Sequence, residues 1–512
     1  MEIAPFQPVD MISNLPDNVI EIILMCLTMR DAAKTSILSK QWRYKWVKLP
    51  QLIFDDTLWQ KSERNQELAR MKFVGILYQV LLLHQGPITK SSLIIPNLKG
   101  CSEINHLIYI LWKNGVEEFT LKIKNIEEYK LPSSLFMCLQ LKHLNLSSCL
   151  ISPPPSFKGF NKLIRLELHG VTIDPEVLGS LISSSPLLEH LVLHVPIEVD
   201  SLKIDAPRLK LFELECYPTH VCFKKSPLLA IVSETSGIDL YEDEVIVEDG
   251  NCKFVEFFDS LPALQQLCID SYFMKILAAG QLQSRLSVSL IHLKILKLFE
   301  ICLDSLDDLS YVLCLIRSSP NLQKLNLEIL DRAITDSSPV LEFLKVQDYS
   351  DVFLNQLQKV KLEYISGTVP EMTLIKLLLE KSPKLNRMVI WPIVICDERL
   401  GILEELNKFG RASPNEGIST YNTYKWDSSH MRDLTTQATK SPKIKEEERK
   451  SVGAKWRENR AHQFCDHQAI LATFNNLKIL KLSDISLESL DELSSVLRLI
   501  RSCPNLEEVK IE

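Results

Sequence analysis

The residue types that most often carry out chemistry are present in this chain, but their spacings assemble little. His190 and His194 stand four apart in HLVLH. On a helix that spacing can bring two imidazoles to one metal ion. Here the surrounding alternation is strand-like, and the pair reads as surface residues of a repeat. His462, Cys465 and His467 have loose ligand-like spacing with no fourth ligand nearby. Asp304, Asp307 and Asp308 mark a helix start, where carboxylates complement the positive end of the dipole. No G-x-G-x-x-G, P-loop, H-E-x-x-H or G-x-S-x-G motif occurs. The expectation is a chain with no metal, no cofactor and no catalytic residues.

Composition narrows the class further. The 512 residues suggest more than one folding unit, because single cores rarely grow past roughly 250–300 residues. A formal net charge of −7 argues against nucleic acid as a partner, since a phosphate-tracking face needs a basic excess. The best candidate for a membrane span, Phe73 to Leu83, is about half of the ~20 residues a bilayer helix needs, so no membrane partner is expected. The opening MEIAPFQPVD lacks the basic-then-apolar order of a signal peptide. Thirteen cysteines, an odd number, lie mostly in apolar runs, as Cys26, Cys268 and Cys314 do. That fits buried thiols in a reducing compartment, hence the cytosol or nucleus, where the sequon at Asn145 would stay unmodified.

The elements that could position a function begin in residues 13–49, SNLPDNVIEIILMCLTMRDAAKTSILSKQWRYKWVKL. Ser13 or Asn14 can open a helix with Pro16 and Asp17 in its first turn. Ile20, Ile23, Leu24 and Leu27 share one face, and Val19, Ile22 and Cys26 extend the apolar surface around the helix. A second short helix can run from about Asp31 to Leu38, and a third can carry Trp42 and Trp46. Three short helices cannot bury two apolar faces among themselves. One face either lies under the domain that follows or waits for a partner.

This segment resembles the F-box. The likeness rests on Leu15-Pro16, Ile23-Leu24, Leu38-Ser39-Lys40, Trp42-Arg43 and Trp46, in the family's order and spacing. Met29 departs from it, standing where relatives commonly carry proline, and should loosen the helix junction slightly. The resemblance implies a substrate-recognition subunit of a Skp–cullin–F-box ubiquitin ligase that catalyses nothing itself. Its partners would be a Skp-type adaptor, a cullin reached through that adaptor, and a protein substrate of unknown identity. The implied adaptor-binding residues are Leu15, Pro16, Ile20, Ile23, Leu24, Leu27, Leu38, Ser39 and Trp42. The competing reading is a ligase-independent interaction scaffold with a vestigial F-box.

Behind it the pattern Leu-x-x-Leu-x-Leu recurs, at Leu141/Leu144/Leu146, Leu163/Leu166/Leu168, Leu188/Leu191/Leu193, Leu209/Phe212/Leu214, Leu264/Leu267/Ile269, Leu293/Leu296/Leu298 and Leu322/Leu325/Leu327. Weaker copies start at Val116, Val199, Leu357 and Leu385. Steps of roughly 21–29 residues are those of leucine-rich repeats. The fourth and sixth residues of each unit alternate on a short strand and point into a core, and successive strands pair in parallel. Prolines 186, 207, 227, 262, 320, 383 and 504 stop the helix before the next strand. The outward positions, candidates for binding substrate on a concave face, are Asn145, Glu167, Val192, Glu213, Cys268, Lys297 and Asn326. Residues 215–260 contain no clear unit, and the step from 199 to 209 is too short for one.

The C-terminal third resembles the FBD domain of plant F-box proteins, through Ile365-Ser366-Gly367, the LIKLLLEKSP helix and Phe409-Gly410-Arg411-Ala412-Ser413. Residues 424–465 are polar and basic. Residues 477–512 then repeat 293–328 without a gap, with about 23 of 36 pairs identical, which points to duplication. The expected organisation is α/β: a tail (1–10), a three-helix F-box (11–50), a helical connector (51–115), an irregular leucine-rich-repeat solenoid with parallel strands (116–340), an FBD-like α/β segment (341–423), a linker (424–465) and a partial duplicate of the repeat (466–512), dispensable for folding.

Overall fold

The computed structural model describes residues 15–55, 58, 66–96, 102–124, 129–195, 201–216, 220–236, 253–277, 285–330 except 287, 338–393, 406, 408–413, 417–420, 479–482 and 508–511. It divides into two compact units, residues 1–238 with 244–423, and residues 239–243 with 424–512.

The first unit opens with helices α1 (Asp17–Met25) and α2 (Met29–Lys34), followed by strand β1 (Gln51–Phe54), helix α3 (Gln66–Leu83), β2 (Lys90–Pro96) and α4 (Ser102–Lys113). Next come β3 (Glu118–Lys124), β4 (Tyr129–Lys130), β5 (His143–Ser147), β6 (Cys149–Ile151), β7 (Arg165–His169), β8 (Thr172–Ile173), α5 (Pro175–Ser183) and β9 (His190–His194). The chain continues through β10 (Ser201–Asp205), β11 (Leu211–Cys216), β12 (His220–Lys224), β13 (Ile231–Ser236), α6 (Lys253–Asp259), β14 (Gln266–Asp270) and α7 (Ser271–Leu277). It closes with β15 (Ile295–Ile301), α8 (Leu306–Ser318), β16 (Lys324–Ile329), α9 (Ser338–Val346), β17 (Lys359–Ile365), α10 (Val369–Lys381), β18 (Arg387–Pro392) and β19 (Gly417–Thr420).

Fourteen of these strands form one sheet, in the order β1-β2-β3-β5-β7-β9-β11-β13-β14-β15-β16-β17-β18-β19, and all neighbours pair in parallel. The repeat pattern explains the register. Leu144, Leu166, Leu191 and Phe212 lie side by side, as do Leu146, Leu168, Leu193 and Leu214, and all are buried. Each such side chain contributes about 1.5–3 kcal/mol by leaving water. The array is therefore a leucine-rich-repeat solenoid.

The prolines do more than end helices. Among the described residues, Pro186, Pro207, Pro227, Pro262, Pro320 and Pro383 each sit second in a turn closed by the amide of the unit's first leucine. Leu188 bonds to the Ser185 carbonyl, Leu209 to Ala206, Leu229 to Ser226, Leu264 to Leu261, Leu322 to Ser319 and Leu385 to Ser382, all at 3.1–3.2 Å. Proline's fixed φ suits that second position.

Four expectations change. The segment 51–115 is not only a helical connector: β1 and β2 are the first two strands of the sheet. The unit at Val199/Leu202/Ile204 leaves the main sheet, because β10 pairs with β12 in a separate two-stranded ladder. The region 215–260 does contain a full strand, β13, between β11 and β14. The tail of the FBD-like segment contributes β19, so that segment continues the sheet through β17, β18 and β19.

In the second unit the described residues are β20 (Ile479–Leu482) and β21 (Glu508–Ile511), paired in parallel with Ile479 opposite Glu508 and Leu482 opposite Ile511. That is the register of β15 on β16, Ile295 opposite Lys324 and Leu298 opposite Leu327, displaced by 184 residues.

Candidate docking surfaces

The N-terminal module is built around an apolar centre. Ile20, Leu24, Met29, Ala32, Trp42 and Trp46 are buried in it. Helix α1 starts at Asp17, with Pro16 rather than Ser13 or Asn14 next to it; residues 13 and 14 lie outside the described residues. Asp17 pairs with Lys45 Nζ at 2.5 Å, and Gln51 Nε2 donates to the Met25 carbonyl at 2.8 Å, tying both ends of the helix down. Helix α2 stops at Lys34 and tightens into a 3-10 turn, Thr35–Ile37. The third helix is reduced to turns and a 3-10 segment, Trp46–Lys48. Met29, the departure from the family pattern, occupies the first position of α2, the place proline favours. It is buried, and Thr28 caps the helix by accepting from the Asp31 amide at 3.2 Å. The loosening expected there is offset by the cap and by apolar burial.

The nine implied adaptor residues divide into three groups. Ile20, Leu24 and Trp42 are core, and their burial fixes the shape of the module. Leu15 and Ser39 are half-buried. Pro16, Ile23, Leu27 and Leu38 are exposed, Leu38 by 61%. Two residues outside the implied adaptor set join the exposed group, Ile22 at 56% and Ile37 at 86%. Their signal was present in the sequence, since both are apolar neighbours of named positions.

The outward residues of the sheet form the second surface. Asn145, Glu167 and Glu213 are half-buried, as are Lys297 and Asn326, whereas Val192 and Cys268 are buried among their neighbours. Register brings unexpected partners to Glu167. It accepts hydrogen bonds from Asn145 Nδ2 and Arg165 Nε, and His169 stands 3.8 Å away. His169 Nδ1 lies 3.3 Å from His194 Nδ1, and His194 reaches Glu213 at 3.2 Å and Glu215 at 3.4 Å. Burial pushes the Glu167 carboxyl up, but His169 and Arg165 outweigh it and hold the group at about 2. Burial pulls His194 down, and Glu213, Glu215 and Glu167 outweigh it, so its pKa is raised. His190 is lowered, by burial first and Arg165 second. Among the described residues no group of three or more His, Cys, Asp or Glu side chains is arranged to hold a metal ion; His462, Cys465 and His467 lie outside them.

The F-box domain model matches residues 12–53, and the model described as "FBD-associated F-box protein At5g56370, LRR repeats" matches residues 104–327. The F-box/FBD/LRR-repeat protein At1g13570 of Arabidopsis thaliana is 35% identical over 420 residues, which cover 79% of this chain and 97% of that protein. The chain belongs to the plant F-box/FBD/LRR-repeat family. The Arabidopsis F-box/FBD/LRR-repeat protein At3g26920 is 27% identical over 66% of this chain and 75% of its own length. The Arabidopsis F-box/LRR-repeat protein At4g14103 is 32% identical over 36% of this chain and 49% of its own length.

The FBD segment of this F-box/FBD/LRR-repeat protein has its own local logic. The Glu371 carboxylate accepts from the amides of Ser366 (3.1 Å), Gly367 (2.6 Å) and Thr368 (2.9 Å) at the start of α10. Gly367 adopts φ +88°, which explains the glycine of the Ile365-Ser366-Gly367 signature. At the other end the Ala412 amide donates to the Leu379 carbonyl at 3.0 Å, docking the second signature on the same helix. Asp308 stands in the first turn of α8, as expected of a helix-start acid, and is also fully buried. It accepts from Ser271 Oγ (2.8 Å) and the Cys302 amide (2.9 Å), joining two repeats.

Proposed function

We propose that this chain is the substrate receptor of a Skp–cullin–F-box ubiquitin ligase. The observation that carries the reading is the exposed apolar set Pro16, Ile22, Ile23, Leu27, Ile37 and Leu38, held out by a module whose own core is already filled. Apolar side chains displayed on rigid short helices are what a partner helix-binding groove requires. The outward face of the repeats takes the protein substrate, and the chain performs no chemistry, acting in the cytosol or nucleus. No described helix is long and apolar enough to cross a membrane. The test is co-purification of the full chain with a recombinant Skp-type adaptor. Binding at micromolar or tighter affinity supports the reading. No capture at that concentration removes it and leaves the ligase-independent scaffold.

A further inference from the structure

Two bases of the N-terminal module stand at one end of its exposed apolar surface. Residues 15–50 carry six bases against three acids, in a chain whose net charge is −7. Two of the acids are neutralised within the module, Asp17 by Lys45 at 2.5 Å and Asp31 by Lys34 at 2.9 Å. Lys40 and Arg43 are exposed and form no ion pair among the described residues. Both lie beside Ile37 and Leu38. Lys40 is two residues beyond Leu38. The Ser36 hydroxyl donates to the Arg43 carbonyl at 2.7 Å, which folds residue 43 back against the 3-10 turn that holds Ile37.

Helix α1 supplies the other part of the surface, and there it is uncharged. At about 100° per residue, Val19, Ile22, Ile23 and Cys26 fall within about 100° of arc, on the side turned away from the buried Ile20 and Leu24. Glu21, the third acid, is exposed on the flank, about 100° round the helix from Ile22. The surface therefore passes from purely apolar on α1 to apolar with two cations at Ile37 and Leu38. A nucleic-acid backbone, charged throughout, would leave the α1 part unmatched. A partner's base set against Lys40 or Arg43 would oppose docking. A carboxylate in that place steers the approach and fixes the orientation of the complex.

We infer that this surface takes an adaptor whose apolar groove carries carboxylates at the end that receives Ile37 and Leu38, and that Lys40 and Arg43 set the direction in which the adaptor docks. The inference rests on the receptor reading and names the chemistry of its adaptor. The two cations stand in water at the rim, so they act mainly on the rate of association. Leu38 enters the contact itself, so it acts mainly on dissociation.

The test follows association and dissociation of the full chain with a recombinant Skp-type adaptor by surface plasmon resonance, from about 50 to about 500 mM salt. Lys40→Glu combined with Arg43→Glu should slow association about tenfold at the low salt and less than about twofold at the high salt, with Tm unchanged. The same pair changed to glutamine removes the charge without reversing it and should show a smaller loss of the same sign; it decides the matter if the glutamate pair lowers Tm. Lys158→Glu with Lys162→Glu, the same charge change at exposed positions between β6 and β7, should associate as the native chain does. Salt-independent association of the native chain, or full association of the Lys40 and Arg43 variants, overturns the inference and leaves the receptor reading standing. Tighter binding of a thymidine oligonucleotide than of the adaptor also overturns it. No capture of the adaptor by the native chain at any salt removes the receptor reading, and this inference falls with it.

Discussion

Glu234 on β13 lies directly opposite Ile269 on β14, and both side chains point into the core. On its other side Glu234 meets Leu214. It is 1% exposed, and neither carboxylate oxygen has a hydrogen-bond partner. Burial, reinforced by Asp270, pushes its pKa well above the ordinary 4.5. The folded state therefore binds a proton that the unfolded chain releases above about 4.5, so its stability falls as pH rises from there. Glu234→Leu should raise Tm by several degrees, a gain of about 2 kcal/mol or more, and the gain should be larger at pH 7.5 than at pH 5. Thermal melts at the two pH values check this, and a destabilised variant would mean the carboxyl has a structural role.

The Glu167–His169–His194–Glu213 chain makes a second pH prediction. His194 is raised, so its contribution is complete below its ordinary value of 6.5 and is lost as pH rises through its folded value. Glu167, held at about 2, contributes above its ordinary 4.5 and fails only as pH falls toward 2. His194→Gln should flatten the decline in stability above about pH 6.5 while leaving the acid limb in place. Chemical denaturation across pH 5 to 9 is the measurement, and an unchanged alkaline limb would refute it.

At the F-box, Leu38 and Trp42 should separate binding from folding. Leu38→Asp alters a side chain that is 61% exposed, so adaptor capture should drop at least tenfold with Tm unchanged. Trp42→Ala empties a core position and should cost about 3–5 kcal/mol within the module. Limited proteolysis of residues 15–50 reports that second loss. Full adaptor binding by Leu38→Asp would remove this residue from the interface.

Gly159 has φ +95°, and an added Cβ would lie 2.5 Å from the Ser184 carbonyl oxygen. Gly159→Ala should destabilise the fold by more than about 1 kcal/mol through the left-handed backbone and the clash together. The neighbouring rings of Phe136, Phe157 and Phe160 make near-ultraviolet circular dichroism a suitable local probe. An unaltered melt would show that this turn relaxes at little cost.

Truncation after Tyr424 removes β20, β21 and most of the second compact unit. Two strand units are fewer than a stable array needs. The truncated chain should keep its Tm and its adaptor binding, measured by calorimetry and co-purification. A drop of several degrees would show that the tail is integrated into the fold.

The regular units were legible because leucine spacing and strand geometry are the same physical fact. The exceptions have identifiable causes. Leu49, Leu52 and Phe54 form a complete unit, but Leu49 also closes the F-box and masked it. β13 was hidden by Glu234, since a search for apolar inward residues rejects a carboxylate at that position. Val199, Leu202 and Ile204 carry the right letters, yet β10 pairs with β12, a choice of partner that spacing does not encode. At the docking surfaces, sequence identified the residue types but not which were covered. Val192 and Cys268 have the outward parity but are buried by neighbours. The links from His169 to His194 and from His194 to Glu213 exist only through register.

The second copy carries Leu480, Leu482, Val509 and Ile511 where the first carries Leu296, Leu298, Leu325 and Leu327, but Glu508 replaces Lys324 and Lys510 replaces Asn326. Because side chains alternate strictly between the two faces of a strand, drift in one set leaves the other untouched. Copying one unit and letting its solvent-side letters wander is thus a cheap route to new binding preferences, with the packing grammar inherited whole.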